Sequence, residues 1–129
     1  MSHFTRVQTR LTDEPTIKQA LVRMSYKVLD AGDGVQGWQG QRVKAAFKVR
    51  PRRFGRYEIG FVPASQGYTI VADWWGVRIK QQEFTQRLTR EYAYVATVNT
   101  LAAKGFEVQE ERTATTGEVR LVLRRTVGV

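Results

Sequence analysis

Hydrophobic and polar positions alternate most regularly over residues 42–50. Val43, Ala45, Phe47 and Val49 are interleaved with Arg42, Lys44, Lys48 and Arg50, with Ala46 between. A period of two predicts a strand buried on one side and wet on the other, and Pro51 ends it. Shorter β-like runs predict strands over 4–11, 26–29, 57–62 and 68–73. The period changes to steps of three and four at Ile17, Ala20, Leu21 and Met24, which is one face of a short helix. Thr12-Asp13-Glu14-Pro15 precedes it: Thr12 can cap, the acids suit the positive end of the dipole, and Pro15 fits the first turn. Phe84, Leu88, Tyr92, Val95, Asn99 and Ala102, widened by Val98 and Leu101, predict a long helix over 82–104, with Gly105 as a left-handed C-cap. Two strands over 106–111 and 119–127 follow, joined by a turn at Thr115-Thr116-Gly117.

Strand–helix–strand thus occurs near both ends, around a three-strand meander. The economical fold is α+β. A single mainly antiparallel sheet would carry two helices packed on one face, like a ferredoxin-like unit with extra strands. No linker divides the chain, so residues 1–129 are expected to form a single domain. Residues 31–41, AGDGVQGWQGQ, hold four glycines and read as a turn-rich connection, with Trp38 packed down onto the domain.

Composition narrows the functional classes. The chain has 129 residues, 42% hydrophobic and 26% charged, with three Trp, five Tyr and six Phe. That is enough for one core and argues against disorder. Cysteine is absent, which removes disulfides, thiolate metal sites and cysteine nucleophiles. No apolar run approaches the roughly 20 residues of a membrane span, and MSHFTRVQTR lacks the apolar core of a signal peptide. A cytoplasmic protein without membrane contact is expected. The net charge of +9 favours an anionic partner.

Much of that charge sits in one run. Arg42, Lys44, Lys48, Arg50, Arg52, Arg53 and Arg56 fall within fifteen residues that contain no acid. Four of them are expected on the wet face of the predicted strand, about 6.6–6.8 Å apart. That spacing resembles a phosphate repeat, and Phe54 and Tyr57 beside the run could stack bases. Arg120, Arg124 and Arg125 could add to it from the last strand. The plainer reading is a solvated face that protects a sheet edge and keeps the chain soluble.

Other candidates carry less. Tyr57-Glu58-Ile59-Gly60-Phe61 matches an RNA-recognition sheet poorly, and its apolar residues read as core. His3 is the sole histidine and lies near a terminus, so neither a catalytic nor a zinc role is expected. Asp73, before Trp74-Trp75-Gly76, is the best-placed carboxylate for a site, and a turn cap is its simpler role. Asp30-x-Gly-Asp33-Gly34 lacks the rest of a calcium loop. Of the pair Trp74-Trp75, one is expected buried and the other, Trp75, exposed as an interface anchor. Tyr92 belongs to the apolar stripe of the long helix, so Tyr94 is its candidate contact residue. The glycine pairs lack the flanking elements of a dinucleotide site, and no phosphate-binding Gly-x-x-x-x-Gly-Lys motif exists.

Several segments carry a resemblance in order along the chain. They are Met1-Ser2-His3-Phe4, Tyr57-Glu58-Ile59-Gly60-Phe61, Tyr68 with Val71-Ala72-Asp73, Arg90 with Tyr92-Ala93-Tyr94, Gly105-Phe106-Glu107-Val108 and Gly117-Glu118-Val119-Arg120-Leu121-Val122-Leu123. The sequence resembles the hypothetical chloroplast reading frame thirty-five family of plastids, cyanobacteria and other bacteria. The resemblance runs nearly end to end and implies a single small soluble domain, in the plastid stroma where the gene is plastid-encoded. It implies no catalytic residues and no cofactor. Members encoded near ATPases of the AAA class suggest an accessory role. This chain departs from more neutral members in its basic run from Arg42 to Arg56.

The expectation is therefore a non-enzymatic accessory protein that binds an acidic partner, possibly within a larger ATPase-containing assembly. The basic residues would supply charge, and Trp75 and Tyr94 would be anchors. Nucleic-acid binding by the same face is the alternative, and a small enzyme ranks third. Homo-oligomerisation through exposed strand edges is open.

Overall fold

A computed structural model describes residues 3–126. In chain order the elements are β1 (Thr5–Gln8), α1 (Glu14–Arg23), β2 (Val28–Asp30), β3 (Val35–Gln36), a single 3-10 turn (Trp38–Gly40), β4 (Arg42–Val43), β5 (Phe47–Val49), β6 (Ile59–Val62), β7 (Thr69–Ala72), α2 (Trp74–Val77), α3 (Gln81–Ala103), β8 (Phe106–Thr113) and β9 (Val119–Arg125). The chain is α+β. Its contacts group into two compact units, one ending at Tyr92 and one beginning at Ala93, a boundary that falls inside α3.

The first unit is built on a five-stranded sheet of order β1-β7-β6-β5-β2, with every neighbouring pair antiparallel. Phe47 lies opposite Phe61, and Phe61 opposite Ile70, so these three share one face. The Phe47 and Phe61 rings stack at 4.8 Å between centroids, and Lys18 of α1 places its ammonium 5.1 Å from the Phe47 ring. On the other face Lys48 lies opposite Gly60, and Gly60 opposite Val71. The absent side chain at Gly60 is what admits a second layer. A Cβ there would stand 2.2 Å from Cγ2 of Val35, so the β3–β4 ribbon packs down where only glycine fits.

Helix α1 is capped by Asp13, whose carboxylate accepts from the Thr16 N–H at 3.1 Å, and not by Thr12 as expected. Asp13 is the better-placed acceptor because Pro15 sits in the first turn and the helix starts at Glu14. Ile17, Ala20, Leu21 and Met24 are buried, as their spacing requires. Helix α3 buries Phe84 and Leu88, and Phe84 meets the rings of Tyr26 and Trp74 at 5.8 and 5.6 Å. Tyr92 accepts the Asp13 N–H through its hydroxyl at 3.2 Å.

Three expectations change. The strand predicted over 42–50 is two strands in two sheets, broken at 44–46, because Val43 pairs with Val35 while Phe47 pairs with Phe61. The residues after β7 are not extended: α2 forms there, capped by the Asp73 carboxylate accepting from Gly76 N–H at 3.2 Å and ended by Arg78 at φ 58°. The single sheet is replaced by three, the five-stranded sheet and the β3–β4 and β8–β9 pairs.

The second unit contains the end of α3 and the β8–β9 hairpin. Gly105 takes φ 88° as the left-handed cap after α3. Gly117 repeats that conformation in the hairpin turn, where its N–H donates to Ala114 at 2.9 Å. A register shift between Val108 and Glu110 marks a bulge. The Tyr94 hydroxyl donates to Glu111 at 2.8 Å, and Thr126 N–H donates to Gly105 at 2.7 Å. Val127, the last residue of the predicted final strand, lies outside the described residues. Among the described residues no helix is long and apolar enough to cross a membrane.

Candidate functional site

The basic run divides into two halves of different character. Lys48 is buried, 4% exposed, on the ribbon-covered face of β5. Its ammonium donates to Asp33 Oδ1 at 2.8 Å, to the Gly34 carbonyl at 2.9 Å and to Glu58 Oε1 at 3.1 Å. Three donors meet three acceptors, which is the full capacity of an ammonium group. Glu58 is also buried, and its carboxylate accepts from the Gln36 N–H at 2.9 Å and from Arg50 at 3.1 Å. Register explains the meeting: Lys48 lies opposite Gly60, and Glu58, just before β6 and two residues from Gly60, continues its face.

Asp33 receives a second cation, Arg42, at 3.4 Å, and Arg42 also donates to the Asp33 carbonyl at 3.1 Å. The hydrogen bond from Lys48, and then the Lys48 and Arg42 charges, hold the Asp33 carboxyl below the usual carboxylate range. Lys48, Arg50 and Arg42 are therefore each held by a carboxylate within the molecule, three cations on two acids. The expected row of four cations on a wet strand face does not form. The strand is interrupted, Lys48 points into the cluster, and of the four only Lys44 is exposed without a carboxylate partner among the described residues.

The other half stays outside. Arg52, Arg53 and Arg56 are exposed, with no carboxylate partner among the described residues. The Arg53 guanidinium lies 5.4 Å from the Phe54 ring centroid, and Phe54 is 90% exposed. The Arg50–Glu58 pair closes the base of this loop, and Gly55 N–H donates to the Arg52 carbonyl at 3.1 Å within it.

The loop leads to an aromatic group. Tyr57 is half-buried with its ring pressed on Gly76, where a Cβ would stand 2.0 Å from the ring. Trp75, the neighbour of Gly76, is 72% exposed and meets Trp38 edge-on at 6.3 Å. Trp74 turns the other way, with its indole nitrogen enclosed and no acceptor among the described residues. Trp75 is exposed as expected, on a helical turn, while Trp74 is half-buried and not fully enclosed. Tyr94 is half-buried and engaged with Glu111 in the second unit. Arg120 and Arg124 pair with Glu118 and Glu107 of the hairpin, and Arg125 lies 5.8 Å from the Phe106 ring. Asp73 serves as the α2 cap, and His3 is exposed. Among the described residues no group of three acidic or histidine side chains converges to hold a metal.

The model of a protein family described as a protein of unknown function, DUF1257, matches residues 20–122. The chain belongs to this family. It is 32% identical over 127 residues to a protein titled "Uncharacterized protein ycf35" from Cyanophora paradoxa, covering 97% of this chain and 98% of that one. Proteins of the same title from Guillardia theta and Pyropia yezoensis match over the same shares at 32% and 24% identity. No solved structure matches. The end-to-end resemblance to the reading frame thirty-five family is thus shown.

Sequence reasoning passed over Glu58, Asp33 and Trp38 as site residues. Glu58 carries a signal in hindsight: it is an acid in a strand whose alternation places it beside Gly60, inward of the cations.

Proposed function

We propose that this protein is a non-enzymatic accessory protein that docks an acidic partner protein through loop 51–57 and Trp75. One observation carries the reading: Arg52, Arg53 and Arg56 are left unneutralised around a 90% exposed Phe54, while the neighbouring Arg42, Lys48 and Arg50 are paired internally. Arginine with exposed large aromatics is the composition of an interface centre. Phosphate tracking along a strand needs a row of free cations, and burial of Lys48 and pairing of Arg50 interrupt that row. The reading places the protein in the cytoplasm, or in the plastid stroma where it is plastid-encoded. Family members encoded near ATPases direct the search to such assemblies.

The test is affinity capture of the tagged protein from its native lysate, with and without nuclease, followed by reconstitution with the purified partner. Defined acidic proteins should persist after nuclease. Replacing Arg52, Arg53 and Arg56 together by Ala should raise the reconstituted Kd at least about tenfold, since charge-assisted contacts contribute roughly 1.5–3 kcal/mol each. Capture of nuclease-sensitive material alone would replace this reading by nucleic-acid binding.

A further inference from the structure

The interrupted strand leaves a cleft of about 430 Å³ in the first unit, between the turn after β2 and the chain that leaves β4. Its apolar wall is Ala31, Val43 and Ala45, and its polar groups are Asp33, Arg42 and Lys44. The volume falls within the range of small-molecule sites. We infer that this cleft binds a hydroxylated, phosphorylated small molecule, of the size and chemistry of a sugar phosphate.

The charges name the anionic part. Lys44 is exposed with no carboxylate partner among the described residues. Arg42, two positions away, is exposed and meets the Asp33 carboxylate at 3.4 Å, the Asp33 carbonyl at 3.1 Å and the Gln36 side chain at 3.4 Å, long contacts that a charged phosphate oxygen would outcompete. A guanidinium takes a phosphate in a forked geometry, and an ammonium serves as a point charge beside it. Among the lining residues Arg42 and Lys44 outnumber Asp33 by one charge, so an anion is favoured beside them. Asp33 names the hydroxylated part. Its side chain is 67% exposed beside the buried Lys48, and it is held in the anionic form, an acceptor fit for hydroxyl groups. Ala31, Val43 and Ala45 offer the carbon face of a ring somewhere to rest.

The buried cluster beneath supplies rigidity. Lys48 grips both Asp33 and the Gly34 carbonyl, and Gly34 N–H donates to Ala31 at 2.8 Å, so the turn is fixed before a ligand arrives. A buried ion pair is often no more stabilising than an apolar substitute, and here it orients a ligand-facing carboxylate. Lys48 is thus a positioning residue for this cleft. The inference stands on residues separate from loop 51–57 and does not depend on the docking reading.

Amide NMR titration of the intact protein tests it, with ribose 5-phosphate, inorganic phosphate and ribose as separate probes. Ribose 5-phosphate should shift the amides of Gly32, Asp33, Gly34, Lys44 and Ala45 with saturation below about 5 mM, and phosphate should shift the same amides at least about tenfold more weakly. Lys44→Ala, an exposed position whose loss leaves the fold intact, should raise the ribose 5-phosphate Kd about tenfold or more. Asp33→Asn should weaken ribose 5-phosphate and spare inorganic phosphate. Absence of saturable shifts at these amides, or an unchanged Kd in Lys44→Ala, overturns the site. Equal affinity for the two anions, or an Asp33→Asn variant that binds both as before, overturns the sugar-phosphate assignment.

Discussion

Lys48 and Glu58 decide more about this molecule than any other pair of residues. Both are enclosed, and loss of Lys48 leaves the buried Glu58 carboxylate with Arg50, an exposed side chain, as its counter-charge. Lys48→Ala should therefore cost about 3–5 kcal/mol in denaturant unfolding, well beyond the loss of one hydrogen bond. Replacing Lys48 and Glu58 together by Met and Leu should recover most of that loss, since the apolar pair leaves no buried charge unpaired. Asp33 answers to pH. Its folded pKa lies below the ordinary value, because Lys48 and Arg42 favour the carboxylate. The stability it contributes is fully present above its unfolded pKa and is lost as pH falls through the folded value. The unfolding midpoint should thus drop as pH falls from about 5 to 2, and Asp33→Asn should show a shallower drop over that window. An Asn variant with the full wild-type slope would remove Asp33 from the account.

Elements were legible where one local pattern suffices. Helix α3 announces itself through a stripe recurring over about five turns and the glycine after it, and the β5–β6–β7 meander through its turns. The ribbon was hidden. Arg42-Val43 and Phe47-Lys48-Val49 keep one period-two phase across a change of sheet, so alternation alone reads them as one strand. Their partners, Val35 and Phe61, lie at distances a local pattern cannot see. For the same reason alternation makes Lys48 look wet, when its partner Glu58 lies just before the next strand. Helix α2 was missed because four residues hold no period. Asp73 with Gly76 three positions later was its one mark. The ribbon depends on Gly60: Gly60→Ala drives a Cβ into Val35 and should destabilise by about 1–3 kcal/mol in thermal or denaturant unfolding. Gly32→Ala meets nothing closer than 4.0 Å and should stay within about 0.5 kcal/mol of wild type. Comparable losses in both would mean the ribbon is not seated on Gly60.

At the scale of the whole molecule, a net charge of +9 says that an anion is attractive and nothing about where it lands. Subtracting the cations that hold carboxylate partners narrows the candidates for the proposed docking. Arg42, Lys48 and Arg50 spend their charge on Asp33 and Glu58, and Arg120 and Arg124 on hairpin carboxylates. Arg52, Arg53 and Arg56 are among the exposed cations left over, and they share one loop whose base the Arg50–Glu58 pair closes. Two kinetic signatures should then separate within one interface. The exposed guanidinium groups act at long range, so Arg52→Ala with Arg53→Ala should slow association with the partner and flatten its dependence on ionic strength. Trp75 acts only on contact, so Trp75→Ala should leave the association rate within about threefold and speed dissociation at least about tenfold. Surface plasmon resonance at 50 and 300 mM salt, concentrations chosen to bring the screening length from about 14 to about 6 Å, reads both rates. If Trp75→Ala leaves dissociation untouched while the arginine variant abolishes binding, the contact is electrostatic alone, and the aromatic group around Trp38 and Trp75 lies outside the interface.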